Sequence, residues 1–178
     1  LLTRPFLAGV VLVVFSISGV GAYEWLFDAG FAVKEDQSQV DRGLALRNLT
    51  TPEAKIAVAY AGAPIFYSQR SGIDLLGKSD AFVARQEPRG FFYPGHNKWD
   101  YLHSLQQLTP DVITEIVRPP NVEEAEFIGE NYRSVCLPST SKNLGIVWIL
   151  IGSAKLSAKL QGAKPCSPTT RVATGSSS

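Results

Sequence analysis

Two aspartates six residues apart raise the first chemical question this chain poses. The stretch "RSGIDLLGKSDAFVARQ", Arg70 to Gln86, sets Asp74 and Asp80 on either side of Gly77 in a mostly apolar run. Two carboxylates facing one cleft with separated pKa values make a general acid/base pair. The competing reading is structural. Asp80, or Ser79 beside it, caps a brief helix through "DAFVARQ" by accepting backbone N–H bonds, while Asp74 ends a strand and bonds nearby backbone. Asp74 lies between Ile73 and Leu75, so its charge needs a partner, and Arg85 is one candidate.

A second constellation is "YPGHNKWD", Tyr93 to Asp100, where His96, Asn97 and Lys98 follow a glycine and precede a helix. A helix start offers free N–H groups and a positive end, which favour an anionic group such as phosphate. An ordinary polar surface turn is the alternative. His103 lies seven residues beyond His96, and no Cys or Glu pattern makes a zinc-type ligand set with them, so no metal site is assigned. Neither a G-x-S-x-G elbow, a P-loop nor a dinucleotide fingerprint occurs, so the chain names no catalytic residue and no cofactor.

The elements that must hold these groups follow from composition and periodicity. A length of 178 residues suits about one domain, and 45% hydrophobic residues can supply its core. A net charge of +1 argues against nucleic acid, which calls for a basic footprint. Methionine is absent and Leu1 comes first, so the sequence reads as a fragment or processed piece. From Phe6 to Tyr23 there are 18 residues without a charge. At ~1.5 Å per residue they span about 27 Å, close to the hydrocarbon thickness of a bilayer. Arg4 before the run and Tyr23, Trp25 and Phe27 at its end suit a transmembrane helix whose following domain lies outside the cytoplasm. A secretory signal cleaved near Val20-Gly21-Ala22 and a buried core helix are the rivals. Cys136 and Cys166 fit one disulfide in an exported domain, or two unpaired thiols.

Beyond the span, "KEDQSQVDRGLALRNLT" predicts an amphipathic helix weakened by Gly43. "KIAVAYAG" predicts a strand buried on both faces, as in a parallel sheet, and "APIFYSQR" a helical turn. "GIDLL" and "DVITEIV" predict further strands, with a helix between them carrying Trp99, Leu102, Leu105 and Leu108. "YRSVCL" and "LGIVWILIG" read as antiparallel strands at an edge. From Lys155 onward apolar periodicity fades, which predicts a flexible tail. The fold class expected is α/β: one N-terminal transmembrane helix within 1–27, a small mixed sheet with flanking helices over 28–154, and a tail over 155–178.

The order of these pieces resembles the C-terminal extracytoplasmic region of polytopic GT-C type glycosyltransferases, especially bacterial and mycobacterial arabinofuranosyltransferase-like members. The matching residues are Asp74, Leu75, Leu76, Gly77, Asp80, Ala84, Arg85, Gly95, His96, Lys98, Pro110 and Asp111, within Lys55 to Val117. The resemblance implies a last membrane helix and its soluble domain, with the catalytic acidic residue of the parent enzyme outside this chain. It further implies an accessory domain that helps bind a polyprenyl-phosphate-linked sugar donor or a glycan acceptor, through Asp74, Asp80, Arg85, His96 and Lys98. The membrane lipid and the parent's remaining helices would be its other partners. Trp99, Tyr93 and Phe92 offer flat apolar surfaces for such ligands. Two further readings stand beside this one: a single-span or secreted glycan-binding module without transferase activity, and a secreted hydrolase using Asp74 and Asp80.

Overall fold

Few apolar residues separate Thr51-Pro52 from Gly62, and the strand they form, β1 (Lys55–Val58), is buried at Ile56, Ala57 and Val58 alike. Burial on both faces is what a central strand requires. The computed structural model describes residues 4–23, 30–90, 94–138 and 144–166, with side chains described at 9–16, 19, 23 and, within those ranges, from 36 onward. The chain divides into two compact units, Leu1–Ser38 and Gln39–Ser178.

The first unit holds α1 (Arg4–Tyr23), a single helix of 20 residues, and the opening of α2 (Gly30–Leu49). The apolar side chains from Val10 to Phe15 are all exposed. Among the described residues no helix is long and apolar enough to cross a membrane. The helix expected in 1–27 is thus present, and its spanning of a membrane is not among the observed features. Trp25 and Phe27 lie outside the described residues.

The second unit is a mixed α/β layer. Its strands are β1, β2 (Ser71–Asp74), β3 (Val112–Ile113), β4 (Tyr132–Cys136) and β5 (Ile146–Leu150), in the order β2-β1-β3-β5-β4. β1 runs parallel to β2 and β3, whereas β5 is antiparallel to β3 and β4. Side-chain alternation gives each face its own core. One carries Ile56, Val58, Val112, Val135, Val147 and Ile149, covered by Leu46 and Leu49 of α2 and by Ile65 of α3 (Ala63–Ser68). The other carries Ala57, Ala59, Ile73 and Ile113, covered by Leu105 of a π-helix (Leu102–Gln107) and Ile128 of α5 (Val122–Asn131). Gly43, a poor helix former, lets α2 approach α3: a Cβ there would sit 2.9 Å from both Pro64 O and Tyr67 Cβ.

Three expectations are corrected. The predicted tail is folded over 155–166: Leu156 and Leu160, one helical turn apart, are buried, and Ser157 caps the short helix Ala158–Gln161. The helix beginning near Trp99 is a π-helix, in which Leu108 N–H reaches His103 O five residues back (3.3 Å). And α5 went unread, although Asn121 and Glu124 form a full capping box at its start.

One carboxylate ties the amino end of the sheet together. Asp111, almost fully buried, accepts from Lys55 N–H (2.8 Å), the Ser153 hydroxyl (2.7 Å) and Lys155 Nζ (3.3 Å). Its own N–H donates to Lys55 O (2.8 Å), and its carbonyl accepts from Leu150 N–H (3.0 Å). Asp111→Ala strands a buried N–H and a hydroxyl, so we expect a loss of about 3 kcal/mol in denaturant unfolding, with Lys155→Ala costing below ~1 kcal/mol because that ammonium is part-exposed.

Burial also makes the fold sensitive to alkali. The Tyr101 phenol is pushed up to about 12 by desolvation, and that of Tyr132 is raised further by the same cause. A raised folded pKa favours the neutral phenol, so this stability is complete below the ordinary value of 10 and is lost as pH climbs toward about 12. Wild-type unfolding free energy should fall over that window by up to about 1.4 kcal/mol per pH unit for each phenol. Tyr101→Phe should fall less steeply over it, and an unchanged slope would reject the assignment.

Candidate functional site

The local chemistry of each sequence-selected residue comes first. Gly77, with φ +72°, closes the turn after β2, and a Cβ there would meet Val83 Cγ1 at 2.8 Å. Asp74, buried at the end of β2, fills this turn: Oδ1 accepts from Leu76 N–H (2.9 Å), Oδ2 from Ser79 N–H (2.6 Å) and the Ser79 hydroxyl (3.1 Å). Asp80 caps α4 (Ala81–Ala84), its Oδ1 accepting from Phe82 and Val83 N–H at 2.8 and 3.1 Å. Its Oδ2 lies 3.3 Å from His103 Nε2, and the His103 ring stacks on Phe82 at 4.1 Å. Arg85 is exposed at the C-terminal end of α4, and the Asp74 carboxylate is met by the turn and Ser79 instead. Lys98 Nζ donates to Ala84 O (2.6 Å), fastening the 94–98 loop to α4.

His96 stands elsewhere on the same loop. Its Nδ1 lies 2.8 Å from Pro94 O, its carbonyl accepts from Arg118 Nε (2.7 Å), and its ring is 6.4 Å from that of Tyr60. The helix start beyond it is filled from within, because Asp100 Oδ1 accepts from His103 N–H (2.9 Å). Tyr93 and Phe92 lie outside the described residues. Trp99 is buried, with the guanidinium groups of Arg89 and Arg118 at 5.7 and 6.0 Å from its ring and Arg89 held by the buried Glu124 at 3.0 Å. That ring is therefore core, and offers no open face.

The topology points to a place that motif reading passed over. The chain leaving β1 enters α3 on one face of the sheet; the chain leaving the adjacent, parallel β3 proceeds to α5 on the other. Where neighbouring parallel strands send their connections to opposite faces, their carboxyl ends part, and open α/β sheets bind ligands there. Tyr60 follows β1 by two residues and is exposed; Thr114 and Glu115 follow β3 directly. Glu115 Oε1 accepts weakly from Tyr60 N–H (3.4 Å), and Oε2 pairs with Arg42 Nη1 (3.2 Å). Arg42 reaches in from α2, bonding Leu144 O through Nη2 (3.1 Å), while its buried Nε has no partner among the described residues. Exposed Tyr60, half-buried His96 and the Glu115–Arg42 pair thus share the carboxyl end of β1 and β3. Among the described residues no cluster of His, Cys, Asp and Glu is arranged to hold a metal.

Sequence reasoning had only one signal for this site, a polar residue directly after a buried parallel strand at Glu115. Strand order, which tells that β1 and β3 are neighbours, was needed to use it.

No curated protein and no solved structure matches the chain. A family model does match over residues 29–162, which include every residue of this site. The chain belongs to the family described as Domain of unknown function (DUF8728).

Proposed function

We propose that the chain is a membrane-anchored, extracytoplasmic domain that binds a sugar-bearing ligand for an integral membrane glycosyltransferase, with that enzyme's catalytic carboxylate and remaining helices outside this chain. The observation that carries the binding role is the parting of β1 and β3 beside Tyr60, His96 and the Glu115–Arg42 pair. A carboxylate, a guanidinium and exposed ring faces suit a hydroxyl-rich ring, which needs hydrogen-bond partners along its rim and apolar contact on its face. The link to a polyprenyl-phosphate sugar donor or envelope glycan acceptor rests on the resemblance of Lys55–Val117 to the GT-C tail. On this reading Asp74, Asp80 and Lys98 shape the neighbouring loops, and Arg85 and His96 meet ligand at the rim.

Two observations support this location. The disulfide Cys136–Cys166 accords with an oxidising compartment outside the cytoplasm. The anchor rests on the 18 uncharged residues of Phe6–Tyr23, helical within Arg4–Tyr23 and bare of cover at Leu12 (68%) and Phe15 (74%). A helix that exposes apolar side chains on every side is at home in lipid. A second reading, a glycan-binding module that works without a transferase, draws on the unit Gln39–Ser178 having its own core on both sheet faces.

The full chain in lipid nanodiscs, titrated calorimetrically with envelope-type oligosaccharides, should bind with Kd below ~1 mM. Tyr60→Ala and Glu115→Gln, checked for folding by circular dichroism, should each weaken binding about tenfold, or ~1.4 kcal/mol. Absence of heat at millimolar sugar, or wild-type affinity in both variants, would reject the site. Glycan transfer by a parent enzyme carrying the same substitutions separates the two readings: lost transfer supports the accessory domain, and intact transfer with lost binding supports the free-standing module.

A further inference from the structure

The sheet ends at β4, and the outer side of that strand is occupied by the chain's own later segment. After the helix Ala158–Gln161 and Gly162, residues 163–166 lie antiparallel along β4 as a strap. Cys136 N–H donates to Lys164 O (3.2 Å), Val135 pairs with Pro165, and the Ser134 hydroxyl donates to Cys166 O (3.2 Å). Arg133 bonds Ala163 O through Nη1 (3.2 Å) and Gln161 O through Nη2. The Cys136–Cys166 bridge closes the arrangement.

What holds the strap is unusual for a sheet strand. Lys164 and Pro165 are exposed and Cys166 is only half-buried, so the apolar packing that secures it is limited to half-buried Ala163 against the core. Pro165 has no N–H to give. Segments with few buried contacts open at low free-energy cost, and here the covalent bridge supplies what packing does not. Beneath lies a regular edge, with Tyr132 and Val135 turned into the core and backbone groups facing outward. An uncovered edge of this kind takes up another strand.

We infer that the β4 edge is a strand-acceptor surface, closed in cis by the strap, and that its partner is the strap of a second copy of this chain. The fit is given by the cis contacts themselves, since an identical segment offers the same register, the same carbonyls and the same cysteine. The exchange needs no net oxidant. A small-molecule thiolate attacks Cys166 Sγ, the Sγ–Sγ bond breaks, and Cys136 leaves as a thiolate while Cys166 carries the mixed disulfide. When the partner's strap seats on β4, the freed Cys136 thiolate attacks the mixed disulfide on the incoming strap. The small thiolate is expelled, so electrons balance, and a bridge now joins two copies.

The test uses the full chain in detergent, mixing 15N-labelled and unlabelled protein with a trace of reduced glutathione. We expect a dimer in light scattering, peptides joining Cys136 of one isotope to Cys166 of the other, and at least tenfold faster exchange of the Cys136 amide while the bridge is open. Core amides such as Ile56 should stay protected throughout. The variant Cys136→Ser/Cys166→Ser should dimerise without thiol. Continued protection of the Cys136 amide with the bridge open would overturn the inference. So would a dimer without isotopically mixed bridges, exchange of the Ile56 amide alongside that of Cys136, or a double variant that stays monomeric.

Discussion

The buried carboxylate of Asp111 sets the geometry on which the rest of the second unit depends. Through its side chain and backbone this residue meets Lys55 at the start of β1, Leu150 at the end of β5 and the Ser153–Lys155 turn. A parallel pair needs its register fixed by something other than a tight hairpin, because its strands are joined by long crossovers. Here the two-way bond between Lys55 and Asp111 does this, and Lys55 Nζ on Leu108 O adds to it (3.0 Å). Thr109, at φ +46°, shows that the chain accepts local strain of order 1 kcal/mol to deliver Pro110 and Asp111 to that place.

Fixing β1 and β3 at their amino ends decides what happens at the other. With Ile56 opposite Val112 and Ala57 opposite Ile113, the paired strands end at Val58 and Ile113. Thr114 continues the pairing by one step, its N–H and hydroxyl both on Ala57 O (2.9 and 3.1 Å). Beyond this the chains diverge, and Tyr60 and Glu115 emerge side by side. Arg42 then supplies a charge that Glu115 needs at a site where both side chains are mostly covered. An ion pair so placed contributes little net stability against its desolvation, yet losing one partner is costly. The pair holds α2 to the end of β3 while keeping polar atoms at the sheet's open end.

Some of this could be read from residues alone, and the limits are physical. The cap at Asp80 was legible because capping is local: the four residues Asp80 to Val83 decide it. The strands Lys55–Val58 and Ser71–Asp74 were legible because short apolar runs lay between turn residues. α5 was not read, because Val122, Phe127 and Ile128 are its only large apolar residues and the stronger signal, Asn121 with Glu124, lay in its cap. The fold of 155–166 was missed for a related reason: Leu156 and Leu160 show periodicity only as a single turn. Glu115 and Tyr60 are 55 residues apart, so no local pattern could pair them.

The acidic residues sort themselves by what meets their oxygens. Asp74, Asp111 and Glu124 are all buried, and each accepts from backbone N–H groups: Leu76 and Ser79 for the first, Lys55 for the second, Tyr101 and Asn121 for the third. A carboxylate with several N–H donors is an anchor for backbone that would otherwise be buried unpaired, and its oxygens are already engaged. That is why the aspartates at 74 and 80, the most chemical-looking pair in the sequence, act as turn and helix fasteners. Glu115 differs. Its principal partner is a side chain, its bond to backbone is long, and it stands where two strands part rather than inside a turn. A carboxylate bound by a guanidinium, a distant Thr114 hydroxyl (3.5 Å) and one weak N–H can exchange a protein partner for a ligand hydroxyl without unravelling the chain around it, which the turn aspartates cannot do.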